Sequence, residues 1–269
     1  EKLAFQQKEI ESSITYASRI QRSILYNDIR SHFSNSFVFY KPKDIVSGDF
    51  YFSSEDSQGR KVLVVADCTG HGVPGALLTI FGNVNIKQSL MQAKHPSDII
   101  DYLDCVFLEH SNHKNAPDYT EENISTNDAM DIVCIFLDTV TNTIEYSSSG
   151  RPVLVLRNSE PIKLSPTNKA HVGSLSKPLS FSGYQSEMFK LQPDDEVYLF
   201  SDGLTDQFGG IEGKKLGMKR LIPALQELSA LPTAEKKKHL ENFIANFMNL
   251  PNGTKFEQID DMCLVGFKV

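Results

Sequence analysis

The sequence predicts a layered α+β fold: two mostly antiparallel sheets stacked on each other, with helices covering both outer faces. Two observations predict it. Short apolar runs arrive in consecutive clusters, whereas a doubly wound parallel sheet would alternate strand with helix. The helical segments also come as two pairs, one inserted after the third strand and one before the last. With 269 residues, 40% hydrophobic and 10% aromatic, the chain has the material for an ordinary globular core.

Residues 1–32 read as a separate N-terminal helix. Leu3, Ile10, Ala17 and Ile24 recur at heptad spacing, Ile14 and Ile20 widen the stripe, and no proline or glycine interrupts it. Such a helix either packs on its own domain or pairs with a second copy, and Gln6 and Ser13 weaken the would-be seam. From residue 33 the character changes. Phe37–Tyr40, Phe50–Phe52 and Val62–Ala66 predict strands, with Asp56–Gly59 as a hairpin turn. Pro74–Met91 predicts a well-buried helix with proline in its first turn, and Ser97–His110 a second helix with a serine cap. The polar stretch 111–127 reads as a long surface loop. Strands resume at Ile132–Leu137, Thr143–Ser147, Val153–Arg157, Gln185–Leu191 and Val197–Phe200. Helices follow at Leu216–Leu228 and Ala234–Met248, and a last strand at Met262–Phe267.

The net charge of −7 argues against a nucleic-acid-binding surface as the main function, since such a surface needs a basic field, and leaves room only for a local basic patch. The four cysteines (Cys68, Cys105, Cys134, Cys263) are widely spaced and form no CxxC pair. They suggest neither a disulfide framework nor a zinc site, which points to a reducing, cytoplasmic setting. No apolar stretch reaches the about 18 to 20 residues that span a bilayer. Because the chain opens in a helical pattern without methionine, the expectation is a piece of a longer protein, the cytoplasmic part of a sensor whose upstream domain could carry a membrane anchor.

Four acidic segments carry the chemistry: Ser47-Gly48-Asp49, Ala66-Asp67-Cys68-Thr69-Gly70-His71-Gly72, Ser201-Asp202-Gly203 and Asp260-Asp261-Met262. Each lies where a strand meets a loop. A single aspartate beside glycine in a turn is ordinary capping. Several converging from distant points in the chain are how a protein builds an oxygen-rich site for hard divalent cations. Glycines at 70, 72 and 75 resemble a phosphate cradle only weakly, because the Lys-Ser/Thr of a P-loop is missing. No Gly-x-Ser-x-Gly elbow or Cys/His pair is present.

The order Lys41-Pro42-Lys43, Ser47-Gly48-Asp49-Phe50-Tyr51, Val65-Ala66-Asp67-Cys68-Thr69-Gly70-His71-Gly72-Val73-Pro74-Gly75-Ala76, Met130-Asp131, Tyr146 to Arg151, Leu199 to Asp206 and Ile259-Asp260-Asp261-Met262 resembles the SpoIIE/RsbU-type branch of the metal-dependent serine/threonine protein phosphatases, the PPM or type 2C superfamily. The resemblance spans about residues 37–269. It implies a four-layer αββα sandwich over residues 33–269 and hydrolysis of phosphoserine and phosphothreonine by water activated between two Mn²⁺ or Mg²⁺ ions. Carried over by residue, Asp67 bridges both ions, the Cys68 carbonyl ligates one, Asp202 and Asp260 hold the same ion from the other side, and Asp49 completes the second ion's shell through water or directly. Asp260 rather than Asp261 fits the motif.

Where many relatives have Gly-Asp-Ser-Arg for a third metal, this chain has Ser149-Gly150-Arg151, so no third-metal aspartate is carried over. His71 stands four residues after Asp67 rather than two, which weakens the analogy to an acid histidine. Lys41 and Lys43 are either phosphate-attracting or solvated edge lysines. The resemblance further implies a phosphorylated regulator as substrate, such as an anti-anti-sigma factor-like protein, and homodimerisation through residues 1–30 that controls activity. The alternative is a catalytically silent module that keeps the fold for signalling.

Overall fold

A computed structural model describes residues 2–25, 27–70, 72–112 and 128–269. The loop expected at 111–127 therefore lies, apart from its first two residues, outside the described residues, as does His71. Helix α1 (Lys2–Leu25) leads through a short 3-10 turn at Ile29–Ser31 into β1 (Ser36–Lys41), β2 (Asp49–Glu55) and β3 (Lys61–Cys68). Helices α2 (Gly72–Leu90) and α3 (Pro96–Asn112) follow, then β4 (Met130–Asp138), β5 (Thr143–Ser149), β6 (Val153–Arg157), β7 (Glu160–Leu164), β8 (Glu187–Lys190) and β9 (Glu196–Phe200). The chain closes with α4 (Asp202–Asp206), the small β10 (Phe208–Gly209) and β11 (Lys214–Lys215) ribbon, α5 (Gly217–Ser229), α6 (Thr233–Met248) and β12 (Met262–Lys268).

Two five-stranded sheets result, in the orders β1-β12-β9-β6-β7 and β2-β3-β4-β5-β8, with every pairing antiparallel. The central strands are apolar on both faces because both faces are covered. In β3, Leu63 and Val65, like Val133 of β4 beside them, face the other sheet, where Val197 and Val265 lie in the same core. Their neighbours Val62, Val64 and Ala66 face outward against Ile86, Ile99 and Phe107 of α2 and α3. On the opposite side Tyr198 and Leu264 pack under Leu225, Leu240 and Ile244 of α5 and α6. The predicted four layers are therefore present in the predicted order, and among the described residues no helix is long and apolar enough to cross a membrane.

Three local expectations needed amendment. The α3 start is not held by Ser97, which lies inside the helix. Asp98 instead accepts from the Lys94 and His95 amides at 2.7 and 2.9 Å, reaching back as an acidic side chain in a first turn does. The strand placed at Gln185–Leu191 shortens to Glu187–Lys190. The β6–β7 hairpin was not foreseen, because its second strand is an edge strand carrying Pro161 and little apolar pattern. Its tight turn uses Asn158 and Ser159 in the left-handed region, at φ 51° and 64°.

Candidate active site

Sheet register brings three aspartates into one rung. Asp49 of β2 pairs with Asp67 of β3, and Asp67 pairs with Asp131 of β4. Side chains opposite one another in a ladder share a face, and this face is the one that Tyr51, Leu63, Val65 and Val133 turn toward the second sheet. The three carboxylates are therefore the last rung of the inner face, where the apolar sandwich ends. Across the gap β9 ends in Ser201, whose hydroxyl donates to Asp49 Oδ2 at 2.5 Å and accepts from the Cys263 amide at 3.0 Å. Asp49 is only 1% exposed and lies behind the cleft, tied to both sheets.

The second sheet supplies Asp202, Asp260 and Asp261. Asp261 continues the inward parity of Cys263 and Val265, and it is buried. Its two oxygens accept the Lys43 and Gly48 amides, each at 2.7 Å, so it caps the β1–β2 loop. Asp260 has the opposite parity; its carboxylate accepts from the Asp261 amide at 2.9 Å and lines the cleft. Gly203 lets these segments meet: a Cβ there would stand 1.9 Å from the Asp261 carbonyl oxygen.

Asp67, Cys68, Asp131, Arg151, His171, Asp202 and Asp260 converge on one cleft of about 430 Å³. At its centre Arg151 Nη2 lies 3.3 Å from Asp67, 2.8 Å from Asp131 and 2.6 Å from Asp202. The approach depends on Gly150, at φ +73°, where a Cβ would come within 2.6 Å of the Asp131 carboxylate oxygens. His171 Nδ1 hydrogen-bonds the other Asp131 oxygen at the rim. Arg151 Nε is buried and has no partner.

The site is rich in negative charge for one guanidinium. Burial, then repulsion from Asp49 and Asp202, pushes the Asp67 carboxyl up to about 9, against the opposing pull of Arg151. Burial also raises Asp49, with the Ser201 hydrogen bond opposing it, and Asp260, where the Asp261 amide opposes it. Arg151 is held above its ordinary value: desolvation works against the charge, but Asp131 and Asp202 outweigh it. Clustered carboxylates raised by burial and by one another form a donor set that a hard cation would relieve. That donor set fits divalent ions, and Arg151 stands in as the cation. Among the described residues no three acidic, histidine or cysteine side chains are drawn closely enough together to share an ion.

Of the residues singled out by sequence, Asp67, Cys68, Asp202 and Asp260 line the cleft and Asp49 backs it. Lys43 contributes its backbone amide to Asp261, and Lys41 is exposed. Sequence reasoning gave no role to Asp131, Arg151 or His171. Asp131 carried a usable signal, an acid of inward parity heading an apolar strand. His171 carried none.

A family model described as stage II sporulation protein E (SpoIIE) matches residues 57–269. The chain belongs to the SpoIIE family. No curated protein matches it significantly. Among solved structures, the SiaA PP2C domain of Pseudomonas aeruginosa is similar at 25% identity and TM-score 0.82, each chain covering 100% of the other. The phosphatase domain and regulatory fragment of SpoIIE from Bacillus subtilis is similar at 16% identity and TM-score 0.62, over 87% of this chain and 63% of that one. The catalytic domain of the serine/threonine phosphatase PstP, whose structure holds 2 manganese ions, shares the fold at 11% identity and TM-score 0.59, over 87% and 97%. This SpoIIE-family chain thus shares the fold of PP2C-type phosphatase domains.

Proposed function

We propose that this SpoIIE-family domain hydrolyses phosphoserine and phosphothreonine on a regulatory protein, using two Mn²⁺ or Mg²⁺ ions. The observation that carries the reading is the convergence of Asp67, Cys68, Asp202 and Asp260 on one cleft, with Asp49 behind it. In this reading Asp49, Asp67, Asp202 and Asp260, with the Cys68 carbonyl, would hold the ions. Two bound divalent cations supply charge to the phosphoryl oxygens and lower the pKa of an attacking water. The protein's part is positioning: the Asp49–Asp67–Asp131 rung is fixed by sheet register, and Ser201 locks Asp49 across the sandwich. Phosphomonoester hydrolysis is among the slowest uncatalysed reactions, so such electrostatic pre-organisation has a large barrier to act on.

The substrate we propose is a phosphorylated regulator of the anti-anti-sigma type, met in the cytoplasm. An upstream sensor domain acts through α1, and two copies pair through residues 1–30. A direct path supports control by α1. Gln21 donates to the Ser47 carbonyl at 2.7 Å and to Thr79 Oγ1 at 2.9 Å, and accepts from the Ser47 amide at 3.2 Å. Ser47 is two residues from Asp49, so the helix grips the loop that enters the site.

The test is hydrolysis of a phosphopeptide and of para-nitrophenyl phosphate with Mn²⁺ and with EDTA. Wild-type turnover should need the metal, and Asp67→Asn should reduce it by on the order of 10² or more. Metal-independent turnover would overturn the two-ion reading, and no turnover with any divalent ion would favour a silent signalling module.

A further inference from the structure

One guanidinium nitrogen of Arg151 reaches Asp67, Asp131 and Asp202, which come from two strands of one sheet and from the helix after β9 of the other. An Nη2 atom has two hydrogens, so it cannot satisfy three carboxylates at once. The contacts at 2.6 and 2.8 Å are charge-assisted hydrogen bonds, and the one at 3.3 Å to Asp67 is the loose member. The arginine is therefore a shared counter-charge, not the partner of a single acid. Its side chain is 18% exposed, against 12%, 20% and 34% for Asp131, Asp67 and Asp202, so the cluster is partly dry but opens on the cleft. Arg151 Nε, buried without a partner, shows that the head group is placed for its Nη2 contacts at the expense of another donor.

We propose that Arg151 is an internal cation that holds the Asp67, Asp131 and Asp202 carboxylates together when no divalent ion is bound, and that it must release them for ions to enter. The inference rests on the two-ion reading above. A cation that competes for the same oxygens lowers the apparent affinity for metal by the strength of its own ion pairs. Arg151 is thus a positioning residue that sets the metal concentration at which the site fills. This separates it from a scaffold arginine, whose loss would only disorder the ligands.

The two roles predict opposite signs. Mn²⁺ binding to the whole chain can be followed by the electron paramagnetic resonance signal of the free ion, with thermal unfolding in EDTA and in Mn²⁺ measured alongside. In Arg151→Gln the Mn²⁺ Kd should tighten about tenfold, equivalent to ~1.4 kcal/mol. Its melting temperature in EDTA should fall, and the rise on adding Mn²⁺ should exceed that of wild type. Arg151→Lys keeps a charge but not the fork, should lose less stability in EDTA than the Gln variant, and should bind Mn²⁺ with intermediate affinity. Unchanged or weaker Mn²⁺ binding in either variant overturns the proposal while leaving the two-ion reading intact. A wild-type chain that binds no Mn²⁺ sinks both.

Discussion

Two adjacent aspartates, Asp260 and Asp261, show how strand parity divides identical side chains between unlike tasks. Asp261 points inward and spends both oxygens on the Lys43 and Gly48 amides, while Asp260 faces the cleft. Removing a buried acceptor leaves its donors with the full desolvation cost. Asp261→Ala should therefore lower stability in EDTA by about 3 kcal/mol, and Asp261→Asn, which keeps one acceptor, by less. Asp260→Asn should stay within about 0.5 kcal/mol in EDTA yet weaken Mn²⁺ binding. Urea unfolding beside metal titration reads both quantities, and the reverse pattern would assign the ligand to Asp261. The sequence motif favoured Asp260, but only the alternation of β12 gives the reason.

At the scale of elements, apolar runs of four or more residues located most of the central strands, because burial on two faces leaves an unbroken hydrophobic signature. Turn residues, caps and spaced apolar positions located the helix pairs. Elements that bury little went unseen. The edge strand β7 has one buried residue in five, and the β10–β11 ribbon has four residues in all. The site was legible to the same extent. Acids beside glycine announced themselves as turns, whereas Arg151 and His171 reach the cleft only through tertiary folding. Helix α1 shows the same limit, since its heptad spacing did not reveal that Gln21 would grip Ser47. Replacing that side chain by an apolar one of similar size, Gln21→Leu, should raise amide exchange at residues 45–49 at least about tenfold, as the loss of ~1.4 kcal/mol of local protection requires. Exchange in β3 and β4 should not change. Unaltered protection at 45–49 would mean that α1 does not reach the site by this route.

For the whole molecule, α1 divides into a docked half and a bare half. Ser18 and Gln21 are buried against the domain, but Leu3, Phe5, Ile10 and Tyr16 are each more than 60% exposed. Leu3 and Ile10, one heptad apart on the same face, suit pairing with the same residues of a second copy. Sedimentation equilibrium should show dimers at about 100 µM, the weak end expected of a small helical interface, and deletion of residues 1–17 should leave monomers. A wild-type chain that stays monomeric at that concentration would rule out pairing through α1. The hairpin between β2 and β3 has a different reach. Asp49 and the turn at Asp56–Arg60 sit at opposite ends of a seven-residue strand, about 20 Å apart. Pairing runs without interruption from that turn to the Asp49–Asp67 rung. The turn thus acts as a length gauge for chemistry it never touches. One residue more or fewer there would slip the register, and slippage by one carries Asp49 to the face now held by Phe50, under the helices.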